Sequence, residues 1–393
     1  MFLQRPTPYD DESLESFFIR TANANGYSDV HRFLVALKRY LEDINCSKYQ
    51  TFPTDIRRIN PYSSKINSGS RTEALHKLSQ MTFNEPGLLL GLAINRSSMK
   101  FSASTSGLLR GSELIPRSLL RCDVVPCCPL CLTEDGYASY RWHFEGYDYC
   151  HKHGTQLITQ CQCGAEYDYR DVGVNGHCKQ CAEQIKTEYH LPPSDDVKVS
   201  QWLAGENIKP LPSLPIGYRW GLIHWWKQIS PELTGDACFV QFWLKWPSSF
   251  YSVLEPIIDF KFNHAAVALE ELRIKDVLDD ILFKSILLPD RNLRYNLILR
   301  EIFHYLEDNV WRNDCRLANL KMNALEVALL LNTSLDQVSS VVEQRLLRPN
   351  RRLKPDRPFN HTDYLFYLGD VYCLWLAEFQ TADFNRSFYT SRW

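Results

Sequence analysis

The sequence predicts a mainly α-helical protein in which a double zinc-finger region lies between two helical domains. Apolar residues recur at helical spacing near both ends of the chain. Cysteine and histidine residues recur at short intervals between positions 128 and 181. Polar and proline-rich stretches separate these parts. The predicted domains are 1–120, 121–190 and 191–393, and the first and last of them each contain a candidate helix-turn-helix.

The composition is that of an ordinary globular protein without general affinity for nucleic acid. The 393 residues are 45% hydrophobic and 23% charged, and the formal net charge is -2. Non-specific nucleic-acid binders are usually basic, so any such contact must be local or made through a partner. We find neither a secretory signal nor an apolar run long enough to cross a bilayer, and so expect a cytoplasmic protein without a membrane partner. In that reducing compartment, the 13 cysteines are expected to be ligands or buried thiols.

Two helices are predicted at the start of the N-terminal domain. Their apolar faces are Leu14, Phe17, Phe18 and Ala22 in the first helix, and Val30, Phe33, Leu34 and Leu37 in the second. Asp10 or Asp11 can cap the first helix, and Gly26 can end it. Ser28 can cap the second helix. The short turn between them fits a helix-turn-helix, but the pattern alone favours a plain helical hairpin, because helical pairs are far commoner than DNA-reading motifs.

A second helix-turn-helix is predicted at about 323–346. Asn323 can cap its first helix, and Ser334 can cap its second helix in an S-x-x-Q capping box. The apolar residues expected to face each other are Leu325, Ala328 and Leu329 against Val338, Val341 and Val342. The exposed face of the second helix would carry Asp336 and Glu343, which repel phosphate. The pattern therefore gives weak support for reading DNA bases.

Two further features of the C-terminal domain have alternative interpretations. A basic run follows the motif and comprises Arg345, Arg348, Arg351, Arg352, Lys354 and Arg357. These side chains can contact a nucleic acid or a protein partner, or can simply be solvated. The stretches WGLIHWW and YLFYLGDVYCLWLAEF are rich in aromatic residues. Such stretches are typical of buried helices, because large aromatic side chains dominate protein cores.

The cysteine-rich region offers two sets of four metal ligands. The first set is Cys128, Cys131, Cys150 and His153, and the second is Cys161, Cys163, Cys178 and Cys181. In each set, two closely spaced pairs from different parts of the region can complete a tetrahedron around one ion. Four protein ligands leave no open position for water. We therefore expect two structural Zn²⁺ sites and no catalytic metal centre.

Several alternatives to these ligands exist within the same region. Cys127 competes with Cys128, which we prefer for its two-residue spacing, and His177 can stand in for Cys178. His143-x-Glu145 resembles half of a nucleobase deaminase signature, but here the cysteine pair precedes it instead of following it. The remaining cysteines, expected to be ordinary thiols, are Cys46, Cys122, Cys238, Cys315 and Cys373. Without a phosphate-binding loop or a nucleophile elbow, we expect no enzymatic activity.

Several stretches, taken in order, resemble one family. They are PYDDESLESFFIRTANANGY, CPLCLTEDGYASYRWHF, YCHKHGTQLITQCQCG, WGLIHWW, NLKMNALEV, EQRLLRPNRR and FNRSFY. Together they resemble the TniQ/TnsD family, the target-selection proteins of Tn7-like transposons. The resemblance extends over essentially the whole chain. It is greatest to the short TniQ proteins encoded beside type I-F CRISPR systems.

The resemblance implies an adaptor for DNA integration that neither cuts nor joins DNA. Such a protein joins the RNA-guided Cascade complex as a head-to-tail homodimer and contacts the crRNA-processing subunit and the adjacent backbone subunit. It passes the target to an AAA+ ATPase, which brings in the transposase, and it meets target DNA or crRNA mostly through Cascade. The family's zinc ligands correspond to the eight residues above, although C-x-C is tighter than the usual C-x-x-C. The alternative is a sequence-specific DNA-binding target selector of the TnsD kind.

Overall fold

The computed structural model describes residues 3–64, 68–83, 85–101, 105–186, 194–233, 239–311, 315–331, 333–351 and 360–379. Helices dominate these residues, and the prediction of a mainly α-helical protein is confirmed. The chain divides into two compact units, Met1–Met99 with Thr105–His224 and Lys100–Ser104 with Trp225–Trp393. Among the described residues, none of the helices combines the length and the apolar character that crossing a bilayer requires.

The first unit contains seven described α-helices and the start of an eighth, together with a small sheet. The helices are α1 Leu14–Ala24, α2 Val30–Tyr49, α3 Ser68–Leu78, α4 Leu88–Leu92, α5 Pro129–Glu134, α6 Tyr169–Val172, α7 Ser194–Leu203 and α8 Ile216–Leu233. The strands are β1 Asn95–Lys100, β2 Ser106–Arg110 and β3 Glu113–Pro116, in the order β1-β2-β3. Short 3-10 helices are Ile56–Arg58, Pro61–Ser63, Arg117–Leu119 and Tyr140–His143, and a π-helical turn is Ser79–Phe83.

The second unit is helical apart from one short ribbon. Its helices are α9 Phe239–Leu244, α10 Ser248–Asn263, α11 Ile274–Leu278, α12 Leu297–Trp311, α13 Cys315–Ala318, α14 Ala324–Leu331, α15 Leu335–Glu343 and α16 Leu368–Phe379. A 3-10 helix covers Leu269–Glu271 and a π-helical turn covers Asp279–Phe283. Strands β4 Lys321–Met322 and β5 Phe366–Tyr367 pair antiparallel. They precede α14 and follow α15, so a two-stranded ribbon closes the helix-turn-helix.

The predicted apolar faces of α1 and α2 are largely confirmed, and Gly26, with a φ of +78°, follows the C-cap of α1 as predicted. The predicted N-caps are wrong. Ser13 Oγ caps α1 by accepting a hydrogen bond from the Ser16 backbone N–H at 3.1 Å. Asp11 is already occupied, because its carboxylate accepts from the Tyr137 hydroxyl at 2.6 Å. Asp29, not Ser28, caps α2 through the His31 N–H at 2.8 Å. The residues buried as predicted are Leu14, Phe17, Phe18, Ala22, Phe33, Leu34 and Leu37, and Val30 is half-buried.

The start of α1 is also hydrogen-bonded to residues that lie far along the chain. The Ser13 N–H donates to the Ala138 carbonyl at 2.9 Å, and the Ala138 N–H donates to Ser16 Oγ at 3.0 Å. The Tyr140 N–H donates to the Asp11 carbonyl at 2.9 Å. This pairing fixes the N-terminal segment against residues 138–140.

The C-terminal helix-turn-helix forms with both predicted caps. Asn323 and Glu326 make a reciprocal capping box, each side chain accepting from the other's backbone N–H at 2.9 Å. Ser334 Oγ accepts from the Gln337 N–H at 3.2 Å.

The packing face predicted for α14 is wrong for two of its three residues, since only Ala328 is buried. Leu325 and Leu329 are 39% and 38% exposed, whereas Val327 and Leu330 are buried. Helix α14 is apolar almost all round, so helical spacing alone allows two packing faces, and tertiary contacts select the second. On α15, Val338 is buried as predicted.

The two aromatic stretches form core, as predicted. Trp220 and Trp225 on α8 are 0% and 2% exposed. Tyr372 and Trp375 on α16 are 1% and 5% exposed, and the Trp375 ring stacks on Phe303 at 5.4 Å between centroids. Their burial in the core explains why these stretches are rich in aromatic residues, and no bound ligand is needed to explain it.

Candidate metal centres

The first cluster of metal ligands lies at the N-terminus of α5 and the turn at 150–154. Cys131 Sγ is 3.5 Å from Cys150 Sγ. His153 Nδ1 is 3.4 Å from Cys128 Sγ, 3.3 Å from Cys131 Sγ and 3.4 Å from Cys150 Sγ. Tetrahedral Zn²⁺ with ordinary bond lengths sets donor atoms about 3.6–3.8 Å apart. The four donors therefore fit one ion of this size.

The second cluster consists of four thiols. Cys161 Sγ is 3.7 Å from Cys181 Sγ, and Cys163 Sγ is 3.8 Å from Cys178 Sγ. The four sulfur atoms lie within 4.8 Å of one another. Cys161 and Cys178 are buried, and Cys163 and Cys181 are exposed. Each sulfur atom of the C-x-C pair therefore lies within 3.8 Å of a sulfur atom of the C-x-x-C pair, a separation that suits two donors of one ion.

Tight turns bring the donors of each pair together. Gly154 follows His153 with a φ of +65°, and Gly164 follows Cys163 with a φ of +83°. Ala182 follows Cys181 with a φ of +59°, which is rare for a residue with a Cβ atom. The first pair differs, because Cys128 is the N-cap of α5 and Cys131 lies in its first turn. Three of the four pairs thus end in a left-handed residue that turns the chain back.

The alternative ligands lie outside both clusters. Cys127 is fully buried, and its backbone pairs with Ile158 at 2.9 Å in both directions. His177 Nδ1 lies 2.9 Å from the Asn175 carbonyl oxygen, away from the four thiols. Cys46, Cys122 and Cys373 are exposed, whereas Cys238 and the side chain of Cys315 lie outside the described residues. The two preferred ligands, Cys128 over Cys127 and Cys178 over His177, are therefore the ones that lie in the clusters.

Glu134 is a neighbour of the first cluster that the sequence analysis missed. Its Oε2 atom is 3.1 Å from His153 Nε2, on the side of the imidazole away from the thiols. A carboxylate in this position fixes the tautomer in which Nδ1 is free to bind metal, and it holds the orientation of the ring. Its place near the end of α5, three residues after Cys131, is the only signal that could have indicated this role.

His143, the possible deaminase residue, belongs to a buried hydrogen-bond network. Its Nε2 atom is 2.7 Å from the Tyr169 hydroxyl, which is 2.9 Å from Ser13 Oγ. Complete burial lowers the pKa of His143 to about 3, so the imidazole is neutral. Desolvation raises the pKa of nearby Glu15 to about 7. His143 is therefore a structural residue, and it belongs to neither metal cluster.

The basic run after α15 is only partly described. Arg345 and Arg348 are exposed, and Arg351 Nη2 pairs with Asp363 Oδ2 at 2.6 Å. The Asn350 N–H donates to the Leu365 carbonyl at 2.7 Å, and this hydrogen bond joins the end of the basic run to the residue before β5. Arg352 and Lys354 lie outside the described residues, as does Arg357. The contact role of this run stays a prediction.

One comparison bears on the family. Residues 3–157 match the family model of TniQ. The chain carries a TniQ domain. This match confirms the predicted TniQ resemblance for that part of the chain, and it implies a role in target selection during Tn7-like transposition. No curated protein matches the chain.

The TniQ domain includes the whole first cluster and ends before the second begins. It also includes the N-terminal helices and the 138–140 segment to which α1 is hydrogen-bonded. TniQ is a family of targeting and adaptor proteins. Both clusters have donor sets able to bind metal ions.

Proposed function

We propose that this TniQ protein is a non-catalytic adaptor that joins RNA-guided Cascade to the transposition machinery. The observation that carries the proposal is the TniQ domain at residues 3–157, which implies target selection. An adaptor of this kind obtains its sequence specificity from the guide RNA, so it has no need for a strongly basic surface. The formal net charge of -2 agrees with this division of labour.

The C-terminal helix-turn-helix supports a protein partner over direct base reading. Asp336 and Glu343 on α15 are exposed, and acidic side chains repel DNA phosphates. Leu325, Leu329 and Leu335 are 39%, 38% and 36% exposed in the same motif. Acidic and apolar side chains together suit contact with another protein better than with a duplex.

The proposed partners follow from the short TniQ branch that the sequence resembles. They are the crRNA-processing subunit and the adjacent backbone subunit of type I-F Cascade, the AAA+ ATPase and a second copy in a head-to-tail homodimer. The protein would act in the cytoplasm, where the transposon machinery assembles. It would touch target DNA or crRNA mostly through Cascade.

We also propose that both clusters hold structural Zn²⁺. The ligands would be Cys128, Cys131, Cys150 and His153 at the first site, and Cys161, Cys163, Cys178 and Cys181 at the second. Thiolate-rich tetrahedral sets of this kind suit zinc. When bound, the ion cross-links the turns that carry its ligands. Metal analysis should give two zinc ions per chain, and X-ray absorption should give mostly sulfur neighbours.

The adaptor proposal is tested by purifying the tagged chain together with crRNA-loaded Cascade. We expect a stable complex with two copies of the chain, measured by mass photometry. A double variant, Asp336→Lys with Glu343→Lys, tests the exposed face of α15, with Asp43→Lys and Glu85→Lys as the charge-matched control. A stable monomer that never joins Cascade would contradict the proposal.

The alternative, a sequence-specific DNA-binding selector of the TnsD kind, makes the opposite prediction. It requires binding to a defined duplex without guide RNA, with an affinity that falls steeply as salt rises. The exposed Arg345 and Arg348 are the observation that favours it. A filter-binding assay over a library of duplexes separates the two, because only the selector enriches one sequence.

A further inference from the structure

Two arginines are hydrogen-bonded to the same short segment of the N-terminal unit. The segment runs from Arg58 through the 3-10 helix Pro61–Ser63 to residue 64. Arg71 on α3 donates from Nη1 to the Arg58 carbonyl at 2.7 Å, the Asn60 carbonyl at 3.2 Å and Ser63 Oγ at 2.8 Å. Arg96 on β1 donates to the Tyr62 carbonyl at 3.3 Å and to the Ser64 carbonyl. Both guanidinium groups are thus held in place by neutral acceptors.

The charges of these arginines are poorly compensated. Within the part of the chain that the structure describes, no carboxylate lies within 4.0 Å of Arg71 or Arg96. Arg58 is 3.6 Å from Asp55, and its side chain is 75% exposed. Among these three arginines, only Arg58 therefore has a carboxylate of the described residues within 4.0 Å. Arg71 is half-buried, and desolvation together with the charges of Arg58 and Arg96 lowers its pKa.

Arg57, the neighbour of Arg58, shows what a compensated arginine looks like in this unit. Its Nε atom donates to Asp171 Oδ1 at 3.2 Å, and its Nη2 atom lies 3.9 Å from Asp168 Oδ2. Two carboxylates thus surround one guanidinium. The charge of Arg57 is therefore compensated within the fold, whereas no carboxylate among the described residues compensates the charges of Arg71 and Arg96.

Both guanidinium groups keep donors that make no hydrogen bond to the described residues. Arg71 uses only Nη1 for its hydrogen bonds to described residues, so Nε and Nη2 stay available. A guanidinium that is fixed on one edge and free on another is pre-organised to donate two parallel hydrogen bonds to two oxygens of an anion such as phosphate. Because little side-chain entropy is left to lose, an anion bound here gains more than at a mobile arginine.

We propose that Arg58, Arg71 and Arg96 form a phosphate-binding site for the backbone of a nucleic acid. Contacts to phosphate carry no sequence information, so the site would position the protein without selecting a sequence. It also explains how a chain of net charge -2 can touch nucleic acid, because the positive charge is concentrated locally. The proposal does not depend on the contact with Cascade.

The surface between the arginines favours nucleic acid over an acidic protein. Protein interfaces are centred on exposed apolar or aromatic anchors surrounded by a polar rim. In this segment Ile59, Pro61 and Tyr62 are all buried. The charges consequently have no apolar anchor beside them, which suits the evenly charged backbone of a nucleic acid.

The test measures binding of the full chain to labelled probes by fluorescence anisotropy, without Cascade. The probes are an RNA stem-loop, a DNA duplex and a polyglutamate peptide, each titrated across a range of salt. The double variant Arg58→Gln with Arg96→Gln removes two of the charges. The control, Arg32→Gln with Arg39→Gln, removes the same charge from exposed positions on α2.

We expect the control to bind like the wild type and the double variant to bind RNA or DNA more weakly. Each lost phosphate contact should reduce the salt slope by about 0.7–0.9, and at 0.1 M salt each contact is worth roughly fivefold to eightfold in affinity. Arg58→Gln alone provides a variant safe for folding, because that side chain is mostly exposed. The nucleic-acid probe that binds more tightly shows whether the site takes the phosphates of RNA or of DNA.

Three outcomes would overturn the proposal. The first is no measurable binding of either nucleic acid at low salt. The second is an unchanged salt slope in a folded, metal-loaded double variant. The third is tighter binding of polyglutamate than of RNA and DNA, which would assign the site to an acidic protein. None of these outcomes changes the result of the Cascade purification, so the two proposals fail separately.

Discussion

Replacing Glu15 by Gln should abolish a pH dependence of stability that the fold creates. Glu15 lies on α1 and is fully buried. Its Oε1 atom accepts a hydrogen bond from Asn60 Nδ2 at 2.7 Å, while Oε2 has no hydrogen-bond partner. His143 Nε2 is 3.9 Å away and neutral, and the Arg170 guanidinium is paired with Asp168 at 2.6 Å. The carboxyl group therefore has no cation of its own.

The size and sign of the effect follow from the pKa of Glu15. Burial raises this pKa from 4.5 to about 7, so the native state retains a proton that the unfolded chain loses. The free energy of unfolding consequently falls as the pH rises from 4.5 to about 7, by about 3 kcal/mol in total. Gln has the shape and the donor of the protonated carboxyl group, and it does not titrate. The advantage of Glu15→Gln over the wild type should therefore grow by about 2.5 kcal/mol between about pH 5 and about pH 8.

Urea unfolding of the zinc-loaded protein at several pH values measures this difference. The comparison between variants cancels any pH effect from the metal clusters, which both proteins share. Glu42→Gln is the matched control, since Glu42 lies on the α2 surface 3.9 Å from Lys38, and it should change stability by less than about 1 kcal/mol at every pH. Parallel pH profiles for Glu15→Gln and the wild type would refute the reasoning.

Three further predictions concern the metal clusters and α15. Glu134→Gln should weaken metal binding at the first cluster by roughly tenfold, because Glu134 Oε2 orients the His153 ring from 3.1 Å. A chelator competition measures this affinity, and an unchanged value would show that Glu134 does not orient the ligand. Cys161→Ala should unfold the second cluster and lower the metal content from two ions to one per chain, and two retained ions would refute the ligand assignment. Arg345→Gly should raise the free energy of unfolding by about 1 kcal/mol, because Arg345 has a φ of +61° after α15; a lower melting temperature would contradict this.

The metal ligands could be predicted from sequence because their geometry is local. In each pair, the two donors are at most three residues apart, and a glycine follows His153 and Cys163. A short spacing fixes how closely two side chains can approach, whatever the rest of the fold does. Only the assignment of two pairs to the same ion depends on contacts that are distant in the sequence. Because each ion needs four donors, few combinations of the pairs are possible.

The predictions for the N-cap of α1 and for the packing face of α14 were wrong because residues distant in the sequence determine both features. Asp11 has the chemistry of an N-cap, but Tyr137 and Arg141 occupy its carboxylate from more than a hundred residues away. Leu325 and Leu329 occupy one of two equally apolar faces of α14. In both cases the local pattern permits the predicted structure, and tertiary contacts choose another.

The buried network and the arginine site had no signal in the sequence. Glu15 and His143 are 128 positions apart, and each alone resembles an ordinary polar residue. Arg58, Arg71 and Arg96 are spread over three different elements, so no charge run marks them. Such sites are created by the topology that brings their members together.

The hydrogen bonds at the start of α1 have a consequence for protein synthesis. Ser13 finds its partners at Ala138 and Tyr169, and the second of these is 156 positions later. At about 5–20 residues per second, the ribosome needs roughly 8–30 s to deliver that partner. During this interval Glu15 and the apolar face of α1 lack their native cover. The start of α1 can thus reach its native contacts only after the ribosome has delivered the region that carries the first cluster and part of the second.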